Sequence, residues 1–167
     1  MIEVERVIDA TPEVVFDVLA DGWVYAAWVV GASRVRSVDA GWPQRGTRIH
    51  HSVGAWPLLV HDTTHVAASE PPHRLELDAR VWPMGEAKVI FTLAPEGATR
   101  CRIRMVEDAT KGPMRVVPYP LRTMAISPRN VETLRRLAYL AEGREGRRGS
   151  DAAQDADEVT DEVDRRR

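Results

Sequence analysis

Cysteine occurs once, at Cys101, so no disulfide can form within the chain and no cysteine cluster is present to make a zinc knuckle. Charge of one sign is not in excess: the formal net charge is -2, which leaves no basic footprint for nucleic acid. Long apolar runs are missing as well. The longest, Trp23 to Ala32, is about half of the roughly 20 residues needed to cross a bilayer, so stable membrane insertion is not expected, although surface contact is open. The opening Met1-Ile2-Glu3-Val4-Glu5 has no basic region followed by an apolar stretch, and a cytoplasmic location is expected. There is no glycine-rich phosphate loop of the GxxxxGK type and no GxSxG elbow. No cofactor is implied.

What is there divides into a body and a tail. After Glu142 the composition changes to "GREGRRGSDAAQDADEVTDEVDRRR", with no aromatic residue and charges of both signs. Residues 144–167 are therefore expected as a polar, disordered tail, and residues 1–143 as one domain. The tail holds 6 Arg and 8 Asp plus Glu, which leaves a formally neutral body.

Hydrophobic periodicity orders the body. Ile2, Val4 and Ile8 share one parity, as in a half-buried strand, and Thr11-Pro12 then reads as an N-cap with proline in the first turn. Val14, Val15, Val18 and Leu19 form the stripe of a short helix, which Asp21-Gly22 breaks before a second short segment, "WVYAAWV". From about Ser33 to Asp108 the pattern is strand and turn. Leu75, Leu77, Ala79 and Val81 alternate with charged residues, Ala87, Val89, Phe91 and Leu93 with Lys88 and Thr92, and Cys101, Ile103 and Met105 with arginines. The spacing predicts an antiparallel meander with one dry face. Ser127-Pro128 is read as the start of a long helix whose apolar side carries Val131, Leu134, Leu137, Ala138 and Ala141, with Glu132 and Arg136 paired on the other side.

The segments "VERVIDATPEVVFDVLAD", "WVVGASRVRSVDAGWPQRGTRIHHSVG" and "RNVETLRRLAYLAEG" together resemble the START-like (SRPBCC) superfamily, in particular its bacterial polyketide cyclase and dehydrase branch. The resemblance covers Ile2 to Gly143 and implies an α+β helix-grip fold, a curved antiparallel sheet wrapped around a long C-terminal helix. That superfamily carries carriers and enzymes on one scaffold, so function has to be argued from the pocket.

The adjacent His50 and His51 cannot converge on one ion, because neighbouring side chains on a strand point to opposite faces; no metal site is expected. His51 shares the parity of Ile49 and Val53 and so faces the dry side. If "GAWP" closes a hairpin, Val53 faces Leu58 and His51 faces Val60, which sets Asp62 diagonal to His51 on the same face. A buried Asp there would favour the imidazolium. Glu107 continues the dry parity of Cys101, Ile103 and Met105. His51, Asp62 and Glu107 are thus the candidate catalytic groups, and Trp28, Val53, Trp56, Val60, Leu77, Phe91, Met105 and Met124 the candidate ligand wall. The outward Arg100, Arg102 and Arg104 are expected to be neutralised by Glu76 and Asp78.

Two functions follow. One is a binding module holding a hydrophobic small molecule of the polyketide, lipid or isoprenoid class, anchored at one end by His51 or Glu107. The other is a cyclase or dehydratase in which His51, steered by Asp62, moves a proton. The proline-rich "PMRVVPYPL" is read as an extended lid over the cavity, with a protein-docking strip as its alternative.

Overall fold

A computed structural model of the chain describes residues 1–54, 57, 59–81, 85–113 and 116–165. Strand β1 spans Ile2–Ile8, followed by helix α1 (Pro12–Leu19), a single 3-10 turn and helix α2 (Tyr25–Trp28). Six strands come next: β2 (Ala32–Val38), β3 (Arg48–Val53), β4 (Val60–Glu70), β5 (Arg74–Val81), β6 (Gly85–Pro95) and β7 (Cys101–Lys111). Helix α3, Tyr119–Arg165, completes the chain. All strands pair antiparallel in one sheet of order β1-β7-β6-β5-β4-β3-β2, so the N-terminal strand closes the sheet beside the last one. This is the helix-grip architecture.

The alternating residues of β5, β6 and β7 build the inner face. Leu75, Leu77, Phe91, Leu93, Ile103 and Met105 are buried there, while Glu76, Lys88, Arg102 and Arg104 reach the outer side and pair across strands. Burying those side chains is the main stabilising term, at about 25 cal/mol per Å² of apolar surface. Helix α3 covers the face with Ile126, Leu134, Leu137, Ala138 and Ala141, spaced by threes and fours or their sums. Gly85 opens β6 at φ +120°, and a Cβ there would lie 1.8 Å from the Lys111 carbonyl oxygen. Only glycine lets β6 and the end of β7 approach so closely.

Several expectations are corrected. Helix α3 begins at Tyr119, not at Ser127, and takes Pro128 into its interior. Pro120 supplies the first-turn proline, where the missing N–H costs nothing. Pro128 leaves the Met124 carbonyl without a helical donor, and Met124 is 74% exposed, which lets water serve it. "PMRVVPYPL" is thus helical from Tyr119 rather than an extended lid, and Met114 lies outside the described residues.

The expected irregular tail continues α3 through Arg165. Arg144 reaches the Asp17 carbonyl at 3.0 Å and the Asp21 carboxylate at 2.6 Å, and Arg148 reaches Asp17 at 2.6 Å. Mixed charge read as solvation is in part a clamp on α1. The outer arginines find Glu3, Glu5 and Glu96 rather than Glu76 and Asp78, because β5 is two strands from β7.

Truncating the covered face of α3 should cost far more than truncating its open face. Leu137→Ala is expected to lose about 2–5 kcal/mol in urea unfolding and Met124→Ala to stay within about 0.5 kcal/mol. Equal losses would mean that the helix is seated differently.

Candidate functional site

A row of small side chains crosses the middle of the sheet. Thr64 pairs with Ala79, and Ala79 pairs with Ala87, so three adjacent strands present a hydroxymethyl or methyl group where their neighbours present leucine, valine and phenylalanine. A cavity of about 90 Å³ opens there, between the sheet, α2 and α3. Its apolar wall is Trp28, Leu77, Val89, Phe91 and Met105, and its half-buried or exposed mouth includes Val29, Val30, Gly31, Arg80 and Arg129. Thr133 of α3 holds one side of the mouth by accepting the Val30 backbone N–H at 3.3 Å.

Polar groups in the wall fall into two sets. In the first, Thr64 Oγ1 lies 3.1 Å from His51 Nε2 and 3.0 Å from the Tyr25 hydroxyl. The Tyr25 ring packs on His51 at 5.1 Å and edge-on to Trp28 at 5.2 Å, and Trp28 meets Phe91 edge-on at 5.8 Å. His51 Nδ1 and Trp28 Nε1 are buried with no hydrogen-bond partner among the described residues. In the second set, Glu107 is buried and bound by the Arg129 guanidinium and, at 2.8 Å, by the Asn130 amide.

The β3–β4 register differs from the expected one by two residues. Val53 pairs with Val60 and His51 directly with Asp62, because the connection is longer than "GAWP" alone. A shift of two preserves the face, so Asp62 is still buried beside His51. The electrostatic outcome is the reverse of the expectation. Burial lowers the His51 pKa below its ordinary 6.5, Arg36 and His50 push the same way, and the attraction of Asp62 does not overcome them. His51 is neutral at pH 7.

Of the candidate residues, His51, Glu107, Trp28, Val53, Leu77, Phe91 and Met105 line the cavity. Asp62 is buried behind that lining, Val60 is half-buried outside it, and Met124 faces solvent. Met124 was expected in the wall as part of a lid ahead of the long helix; on α3 the same position points away. Trp56, like Met84, lies outside the described residues. Sequence reasoning missed Tyr25, Thr64, Arg129, Asn130 and Thr133. Thr64 shares the parity of Asp62 and Val66, and Asn130 and Thr133 interrupt the apolar side of α3, so a signal was available for those three. Cys101 is fully buried and its thiol is pushed up to about 11 by burial, as suits a core residue. Among the described residues no group of three or more His, Cys, Asp or Glu is placed to hold a metal ion.

Residues 1–142 match the family described as polyketide cyclase / dehydrase and lipid transport. The chain belongs to that family. No curated protein matches it. Among solved structures, an aromatase/cyclase from a Streptomyces species aligns with a TM-score of 0.64 at 18% identity, covering 86% of this chain and 93% of its own. A Rhodobacter sphaeroides protein aligns with a TM-score of 0.67 at 23% identity over 86% and 92% of the two chains. One from Chromobacterium violaceum gives 0.63 at 20% identity over 84% and 96%. These likenesses establish a shared fold, and the polyketide cyclase/dehydrase family leaves the choice between hydrophobic ligand binding and cyclase activity to the pocket.

The lowered pKa has a stability consequence. The unfolded chain accepts a proton on His51 near pH 6.5 while the folded chain resists it, so this group's contribution is intact above 6.5 and declines as pH falls below it. Wild type should therefore lose melting temperature relative to His51→Gln between about pH 7 and about pH 5. A constant offset across that range would show that His51 titrates alike in both states.

Proposed function

We propose that the protein binds an apolar small molecule in the cavity beneath α3. The observation that carries this reading is the row Thr64, Ala79 and Ala87, which keeps a volume open in the middle of an otherwise well-filled core. Interiors are ordinarily packed to crystal density, and a void lined by leucine, valine and phenylalanine gains nothing by staying empty. Two residues of its wall, His51 and Trp28, each carry a buried nitrogen with no partner among the described residues, which supports the same reading, since buried polar groups normally have partners. The family and the shared fold agree with it.

Size restricts the occupant. A cavity of about 150 Å³ takes benzene, so 90 Å³ suits a molecule of about one small ring unless the mouth widens. The polyketide, isoprenoid or lipid class remains within reach only through such widening. The cyclase or dehydratase reading draws less support. Glu107 is already engaged by Arg129 and Asn130, Asp62 is outside the lining, and one nitrogen of His51 is taken by Thr64. A proton-transfer step needs a free base within reach of the ligand.

Ala87→Leu should fill the space at little cost to folding. Native mass spectrometry of freshly purified wild type is expected to show a discrete mass above 18.7 kDa that the Ala87→Leu protein lacks. Xenon at a few atmospheres should raise the melting temperature of wild type alone, by mass action on the folded state. A clean apo mass together with no xenon effect would overturn the proposal.

A further inference from the structure

The cavity wall shows which way its hydrogen bonds run. Thr64 has one hydroxyl hydrogen and stands between Tyr25 and His51 Nε2. In one direction Tyr25 O–H donates to Thr64, and Thr64 O–H donates to His51 Nε2, which places the imidazole hydrogen on Nδ1. In the other, His51 Nε2–H donates to Thr64 and Thr64 donates to Tyr25. The Tyr25 hydrogen is then left over, since Thr64 is its one hydrogen-bond partner among the described residues. Burial pushes Tyr25 up to about 12, so that hydrogen is always present. The first direction leaves one buried group unpaired and the second leaves two; the first prevails.

Two residues of the cavity lining therefore carry an N–H donor without an acceptor among the described residues: His51 Nδ1–H and Trp28 Nε1–H, on residues 3% and 1% exposed. Indole nitrogen can only donate. Both rings pack on Tyr25, at 5.1 and 5.2 Å, so they belong to one patch that a single small molecule can span. An acceptor is what the patch calls for. A carboxylate is a poor candidate, because Glu107 is itself in the wall, Asp62 is buried opposite His51, and Arg129 is already paired. The other cation of the lining, Arg80, is exposed at the mouth.

We infer that the ligand is a neutral carbonyl compound of about one ring, its oxygen accepting from the Trp28 indole N–H and the His51 Nδ1–H, and that anionic lipids are excluded. This rests on the cavity being a binding site and adds which chemistry the site selects. In this role His51 is a donor that orients or polarises a carbonyl; it does not withdraw a proton.

Matched probes test the inference on the intact wild-type chain. Cyclopentanone and methylenecyclopentane have nearly the same shape and differ in one acceptor oxygen, and cyclobutanecarboxylate supplies a charge at similar size. Titrations followed by ¹H–¹⁵N spectra should show cyclopentanone binding about tenfold tighter than methylenecyclopentane, as expected for satisfying a buried donor. The Trp28 indole peak, identified by its loss in Trp28→Phe, should shift with the ketone. Cyclobutanecarboxylate should not bind. The ketone preference should fall to within about twofold in Trp28→Phe or in His51→Leu. Equal binding of ketone and hydrocarbon would overturn the inference and leave the apolar binding site standing. Preferred binding of the carboxylate would overturn it as well. Failure of all three probes would overturn it too, and the xenon measurement then decides whether the binding site falls with it.

Discussion

The structure turns on one constraint, that a curved sheet with a single dry face must be covered, here by α3 together with α1 and α2. Where large side chains of β5, β6 and β7 meet α3, the cover is tight and the core is dense. Where Thr64, Ala79 and Ala87 line up across three strands, the side chains are too short to reach the covering helices and a gap is left. A rigid rod over a surface of uneven height leaves space above the low part. The position of the cavity is thus set by the sizes of a few residues, and the groups that surround it are those the pleat directs inward.

The polar groups follow from the same burial. An Asp directly across from a His is ordinarily a recipe for an imidazolium, yet His51 is held neutral because removing its charge from water costs more than Asp62 returns, and Arg36 and His50 add to the cost. The neutral ring still needs partners, and Thr64 serves only one of its nitrogens. Glu107 shows the opposite solution: buried nearly as fully, it is compensated by a guanidinium and an amide. One side of the cavity is electrostatically complete and the other is not, and the incomplete side is where a ligand has something to contribute.

Much of this was legible in the sequence, and the failures are instructive. Parity alone placed His51, Leu77, Phe91, Met105 and Glu107 on the inner face, since a period of two survives any uncertainty about turns. Pairing register did not survive, because the hairpin after Val53 is longer than its turn signal and a shift of two residues leaves every parity unchanged. Helix limits failed where two proline signals competed: Ser127-Pro128 has the form of a start, but Pro120 is the one that is used. That error carried Met124 into a wall it does not join. The parity of Thr64 put it on the inner face, but neither it nor Ala79 marked a cavity, because small residues do so only when their cross-strand neighbours are known.

The cavity and the helix are also coupled mechanically. Thr133 accepts the Val30 N–H and Arg129 binds Glu107, so two consecutive turns of α3 are fastened to the α2–β2 connection and to β7 at the mouth. The Arg129 and Glu107 pair resists separation more strongly than the roughly 0–1 kcal/mol of a surface pair, because Glu107 is buried and would be left uncompensated. Further along, Arg144 and Arg148 hold α3 to α1, which fixes the far side of the contact. On the proposed reading, selectivity for small neutral ligands has two sources, the donors that recognise an oxygen and the fastened helix that sets the size.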